Sequence, residues 1–334
     1  MKFEEHKINA KGVKSLCWQG NSLIDWAGGG AIYHVDGKVQ PRAVNYAYRF
    51  DASVISPSGK YDVIYEKLGT KALILESGKI LREINRSFYH ANTYEYPVVL
   101  FCLPNGREVI AHCPESYSQL EIDDLATGER LTKSSDRKPR DYFFSRLATN
   151  TEGTMLLAAG WVWHPMDVVT VYDIALALQD AHTLDSKGLG TWVASEYNSA
   201  SFMDNNTIAI AEFSEKEEYE NEDDINPVRV YESKTLSIYE LPNCKQKLSV
   251  ETGKTIGTFM PLDSKTIISF FEYPKLISLE TGEVLHEWTE LRTGKQTSSI
   301  IWGIEPVPPL ALDPQNHRFA VATDENINVV QIKL

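Results

Sequence analysis

Eight histidines are the first place to look for chemistry: His6, His34, His90, His112, His164, His182, His286 and His317. Zinc sites draw their ligands from short, set spacings, and none of these falls in H-x-H or H-E-x-x-H. Cys102, His112 and Cys113 are close along the chain, but neighbours on a strand point to opposite faces, so they read as structural. Cys17 and Cys244 stand far away, no C-x-x-C occurs, and the four thiols suit a reducing compartment. Gly28-Gly29-Gly30 lacks the Lys and the following helix of a phosphate loop, and there is no G-x-S-x-G elbow. Asp25, Asp167 and Glu305 could line a cavity mouth and hold a divalent ion, although acids in loops are mostly just solvated. The expectation is no catalytic residue, no metal and no cofactor. A metal-assisted hydrolase or lyase is the alternative.

The elements that would position any site are short strands. Residues 142–173 show the unit: an apolar strand, the turn Asn150-Thr151-Glu152-Gly153, a second strand, a loop around Trp161-Val162-Trp163-His164-Pro165, and a third strand ending in Asp173. The turn between first and second strands recurs at Gly20-Asn21, Ser58-Gly59, Asn105-Gly106, Glu152-Gly153, Asn205-Asn206, Asp263-Ser264 and Gln315-Asn316, spaced 39 to 59 residues apart. A second turn, Asp36-Gly37, Ser77-Gly78, Thr127-Gly128 and Thr281-Gly282, joins the third strand to an outer one, where Gly supplies a positive φ. Glu251-Thr252-Gly253-Lys254 has the same look but lies oddly close to the next turn. Either blade 5 has a lengthened outer hairpin there or the boundary lies elsewhere. Only residues 174–180 suit a helix.

Seven turns predict an all-β, seven-bladed β-propeller formed by residues 1–334 as one domain. The blades fall near 13–45, 46–86, 96–132, 142–190, 195–250, 254–290 and 305–334. Residues 3–8 complete the last blade by pairing beside 327–333, which removes a free sheet edge. With these strand-turn-strand units, and endings such as Val171-Tyr172-Asp173 and Val230-Tyr231-Glu232, the chain resembles the WD40 or YVTN-like propellers. No Trp-Asp or Gly-His dipeptide occurs, so the resemblance implies the fold and no family activity. Thr252-Gly253-Lys254 is similar to a T-G-K-x-x-W element of quinoprotein propellers, but residue 257 is Gly.

In such a ring, the loops joining second to third strands share a face with the connectors between blades. That face is expected to gather Trp26, Phe88, Tyr89, Tyr94, Trp161, Trp163, His164 and Trp302. It would also carry the acidic segment with Glu217, Glu218, Glu220 and Asp223, read as a solvated loop, and the basic stretch 133–140. Residues 212–224 hold eight acids and one base, about half of the net charge of −13. Aromatic and Arg side chains dominate binding hot spots, and a negative field draws basic partners and repels phosphate backbones. In Trp161-Val162-Trp163, alternation turns both indoles to one side.

The sequence therefore predicts a monomeric, cytoplasmic, non-enzymatic interaction module. It would be a scaffold, or a binder that neutralises its target, and its partner another protein, possibly a basic one. Neither nucleic acid nor membrane is expected, since no apolar run is long enough to span a bilayer and the first residues lack a secretory signal.

Overall fold

The computed structural model describes residues 1–163, 166–193, 199–218 and 228–333. They form seven antiparallel sheets; six are ordered as in the sequence from an inner first strand to an outer last one, and the seventh takes its outer strand from the N-terminus. Blade 2 is typical, with Ala52–Ile55, Tyr61–Tyr65, Lys71–Glu76 and Lys79–Asn85. Blade 3 has three strands, and its outer strand is reduced to one bridge between Asp123 and Arg130.

The strands read as apolar runs because both of their faces are covered. In blade 3, Ile110 joins the cluster shared with blade 2, while Val109 and Ala111 join the cluster shared with blade 4. In blade 4, Leu156 and Ala158 point to blade 3, and Leu157 and Ala159 to blade 5. Side-chain alternation thus becomes alternation between two neighbouring blades. Each blade completes the core of the next, and closing the ring leaves no end blade with a bare face.

All seven predicted turns join first to second strands. Gly153 shows why one of them needs glycine: its φ is +64°, and a Cβ there would lie 1.9 Å from the Cys102 carbonyl oxygen. The ring closes as expected. Lys2–Asn9 pairs antiparallel with Asn326–Lys333, from Lys2 opposite Lys333 to Asn9 opposite Asn326. Phe3 stacks on His286 and meets Trp288 edge-on at 5.1 Å, and the Trp288 indole donates to Glu5, so the N-terminal strand also grips blade 6. The expected helix is Ile174–Gln179, capped by the Asp173 carboxylate, which accepts from the Leu176 amide.

Three expectations change. The apolar stretch opening blade 4 forms a strand only at Ala148–Thr149, with Phe143 bridged separately to Trp161. Residues 251–254 are no hairpin of blade 5: its third and outer strands are joined at 241–244, and Thr252 lies past the outer strand Lys245–Glu251. There its hydroxyl lies within donating distance of two carbonyl oxygens, Lys234 at 2.7 Å and Lys254 at 2.9 Å.

The acidic segment is the third. Up to Glu218 it is strand, not loop: Thr207–Glu218 pairs with Val228–Glu240, and six residue pairs, Phe213 with Ser233 through Glu218 with Val228, follow a register shift at Glu212. At about 3.3 Å per residue, that ribbon runs on for roughly 20 Å past the shift. Glu220 and Asp223 lie outside the described residues, as does His164.

Candidate interaction face

Aromatic rings from three elements converge where blades 3 and 4 meet the connector 86–96. Phe143 is the hub. Trp161 stacks on one face of it, centroids 3.9 Å apart and planes 10° from parallel, and Tyr117 stacks at 4.3 Å. Tyr94 meets Phe143 edge-on at 5.5 Å, and Ile300 packs against the same group. Tyr94, Phe143 and Trp161 are buried, at 0%, 0% and 2% exposure. The expectation that Trp161 and Tyr94 stand on the binding surface is thereby corrected. Alternation does put the two indoles of residues 161 and 163 together, 5.3 Å apart, but the blade 2–3 connector covers the first and leaves the second half exposed.

Of the rings expected on this face, those that reach solvent are Phe88 (85% exposed), Trp302 (69%), Tyr89 (41%) and Trp163 (41%). Tyr89 is backed by Tyr117 at 5.0 Å and Phe143 at 5.9 Å, while Trp163 stands across them at 71° to Tyr89 and 88° to Phe143. His90, held at φ 53°, fits edge-on against Trp163 at 5.0 Å. The Tyr117 hydroxyl donates to Asp141, and burial together with that carboxylate pushes it up to about 12. Trp26 is placed elsewhere. It is only partly exposed, packs on Phe50, Ile64 and Leu75, and fills the blade 1–2 junction beside Gly78.

Arg86 holds the connector that carries Phe88 and Tyr89. It is buried and donates to the carbonyls of Gly69, Lys67, Ala91 and Tyr94 at 2.7–3.1 Å. Its guanidinium lies 4.6 Å from the centroid of Tyr94 and 4.9 Å from that of Tyr96. Burial lowers its pKa and raises those of both tyrosines. Nε and Nη2 are taken up by the carbonyls while the buried Nη1 has no hydrogen-bond partner among the described residues, so carbonyls and ring faces hold this cation and its loop without a carboxylate.

The connector between blades 6 and 7, residues 292–309, crosses the ring. Ile300 bridges to Tyr94, and the amides of Ile301 and Trp302 both donate to the Thr93 carbonyl. Ser298 donates to Asp167 of blade 4, and Ser199 of blade 5 donates to the Thr297 carbonyl. A segment that leaves blade 6, touches blades 4 and 5 and the blade 2–3 connector, and returns to blade 7 lies over the axis. It closes the channel on this face and sets Trp302 beside the aromatic group. Between it and blades 1 and 2 runs a cleft of about 860 Å3, lined by Phe50, Leu68, Ile304 and Val307 with Lys14 and Arg49. On the opposite face the channel opens into a cavity of about 470 Å3 lined by first turns, including Asn150, Asp204, Asp263 and Gln315.

The carboxylates considered for metal chemistry are spread apart. Asp25 accepts from the amides of Lys14, Ser15 and Gly28 and from the Ser15 hydroxyl, which ties blade 1 to the N-terminal connector. Asp167 takes the Ser298 hydroxyl, and Glu305 pairs with Arg292 at 3.7 Å. Among the described residues, no three His, Cys, Asp or Glu side chains come together as metal ligands. Burial pushes the Cys17 thiol up to about 12 and raises Cys113 as well, and His112 is buried with its Nε2 3.0 Å from Asp123. The basic stretch 133–140 is partly internal: the Arg137 side chain is enclosed between Asp185 and Glu121. Glu212, counted with the acidic segment, accepts from Ser237 and Tyr239 inside blade 5.

No protein-family model and no curated protein sequence matches the chain. Solved structures do. The chain is similar to the β-propeller domain of Cps50 (Swd1) from Myceliophteria thermophila at 11% identity, with a TM-score of 0.61 over 99% of this chain and 100% of that one. The fold is that of a WD40-like propeller. A chain of the mitotic checkpoint complex is similar at 12% identity, with a TM-score of 0.57 over 100% of this WD40-like chain and 91% of the other. At such identities the likeness carries the fold and no site. Sequence reasoning missed Phe143, Tyr117 and His90. The signal for Phe143 was present in Tyr142-Phe143-Phe144: Tyr142 and Phe144 enter the blade 3–4 core, so the middle ring had to point the other way.

Proposed function

We propose that this propeller is a non-enzymatic protein-interaction module, working in the cytoplasm, whose contact surface is the face of second-to-third-strand loops and blade connectors. The observation that carries the reading is the placement of Phe88, Tyr89, Trp163 and Trp302. All four large rings reach solvent, and Tyr89 and Trp163 rest on a buried aromatic group that Arg86 braces through Tyr94. Rigid aromatics lose little entropy on binding and form the centre of protein interfaces. The blade 5 ribbon with Glu215, Glu217 and Glu218 rises from the same end of its blade, and the net charge of −13 favours a basic partner.

The test is affinity capture with wild type and a Phe88→Ala, Trp163→Ala double variant whose melting temperature is unchanged. Loss of a partner that wild type retains supports the reading. Equal recovery of every partner by both proteins overturns this face as the site. The two arylated positions are exposed, so the variant tests contact and not folding.

A further inference from the structure

We infer that the angle between Tyr89 and Trp163 receives a cationic side chain, an ammonium or guanidinium, of the partner; this rests on the interaction face proposed above. The two rings stand 6.5 Å apart at 71°, and each is 41% exposed. A cation seated in that angle lies within about 6 Å of both centroids, the range in which a ring's quadrupole attracts positive charge. The angle is braced by its neighbours, with His90 edge-on to both rings at 4.5 Å and 5.0 Å. Tyr117 and Phe143 back Tyr89, and Trp163 is braced edge-on by Phe143, Trp161 and His90 at 5.5, 5.3 and 5.0 Å.

The chain fills comparable places with its own cations. Arg318 lies 3.8 Å from the centroid of Trp18, Lys275 3.8 Å from that of Tyr273, and Arg86 serves Tyr94 and Tyr96. Among the described residues no Lys or Arg sits over Tyr89 or Trp163. Asp141 is tied to the same group through Tyr117, and the chain as a whole carries a net charge of −13. An apolar occupant would gain nothing from that charge, whereas a cation gains from both rings and field.

The experiment titrates the full chain with choline and with its neutral carbon isostere, 3,3-dimethylbutan-1-ol, following the Trp163 indole N–H signal by NMR. That signal is assigned by its loss in Trp163→Leu, a variant that keeps apolar bulk without a π face. Choline is expected to shift it with an affinity about threefold or more above that of the alcohol. Tyr89→Leu should reduce that preference to none while leaving the melting temperature unchanged. Equal affinities for the two probes, or no shift with choline at concentrations where simple salts are also silent, overturn the inference. The outcomes separate from those of the capture test: a face that loses its partner on Phe88→Ala, Trp163→Ala but shows no cation preference binds through apolar contact alone.

Discussion

Phe143 and Trp161, eighteen residues apart, lie flat on each other with centroids 3.9 Å apart and their backbones joined by a pair of hydrogen bonds. The contact seals the start of blade 4 to the end of its second strand, Met155–Val162, and it turns Trp161 from a surface anchor into the floor under Trp163. Floor and surface should respond differently to substitution. Trp161→Ala leaves a cavity in a fully enclosed group and should cost about 3–5 kcal/mol in chemical denaturation. Trp163→Ala should cost about 1 kcal/mol or less, because half its area is already in water. Equal losses would contradict this division of labour.

Arg86 is the second support of that surface. Replacing it with Met strands the carbonyls of Gly69, Lys67, Ala91 and Tyr94 and should cost about 2–4 kcal/mol. The loosening should be local. Hydrogen exchange of the amides in 87–95 should speed up well before that of the blade 2 strands, and uniform exchange across both would count against a pinned connector.

Asp62 lies on the second strand of blade 2, fully buried, and neither of its oxygens has a hydrogen-bond partner. Burial pushes it up to about 8, from 3.8. The folded state then holds a proton that the unfolded chain releases, so this contribution to stability is complete below pH 4 and declines as pH rises through 8. Asp62→Asn removes the ionisation. Its stability relative to wild type should climb between pH 5 and pH 8 by about 1.4 kcal/mol per pH unit, read from denaturant melts. A difference that stays flat over that range would show that Asp62 does not titrate with folding.

Closure of the ring makes a prediction of its own. Deleting residues 1–9 uncovers the edge of Asn326–Lys333 and removes Phe3 from its place between His286 and Trp288. The shortened chain should melt several degrees lower and self-associate on a sizing column, as free edges do. An unchanged melting temperature would mean that the strand merely lies alongside the ring.

The ring was legible because its markers are local. A Gly-containing turn such as Glu152-Gly153 is fixed by φ and by the nearness of Cys102, and strands buried on both faces announce themselves as apolar runs. The pairing of Lys2–Asn9 with the last strand followed from counting strands. What was hidden depends on which element covers which. Alternation put Trp161 and Trp163 on one side but could not show that residues 86–96 fold over the first. Glu215, Glu217 and Glu218 read as loop because acids disfavour strands; continued pairing with Val228–Glu240 overrides that preference. The crossing of 292–309 left no local trace, since its bonds to Thr93, Asp167 and Ser199 span about a hundred residues or more.

The face itself is tested most directly by a photo-cross-linking amino acid placed at Phe88 and, separately, at Ser58 in a first turn on the opposite face. The account predicts a discrete cross-linked partner from position 88 and none from position 58. A partner captured from Ser58 alone would place the contact surface on the wrong side of the ring.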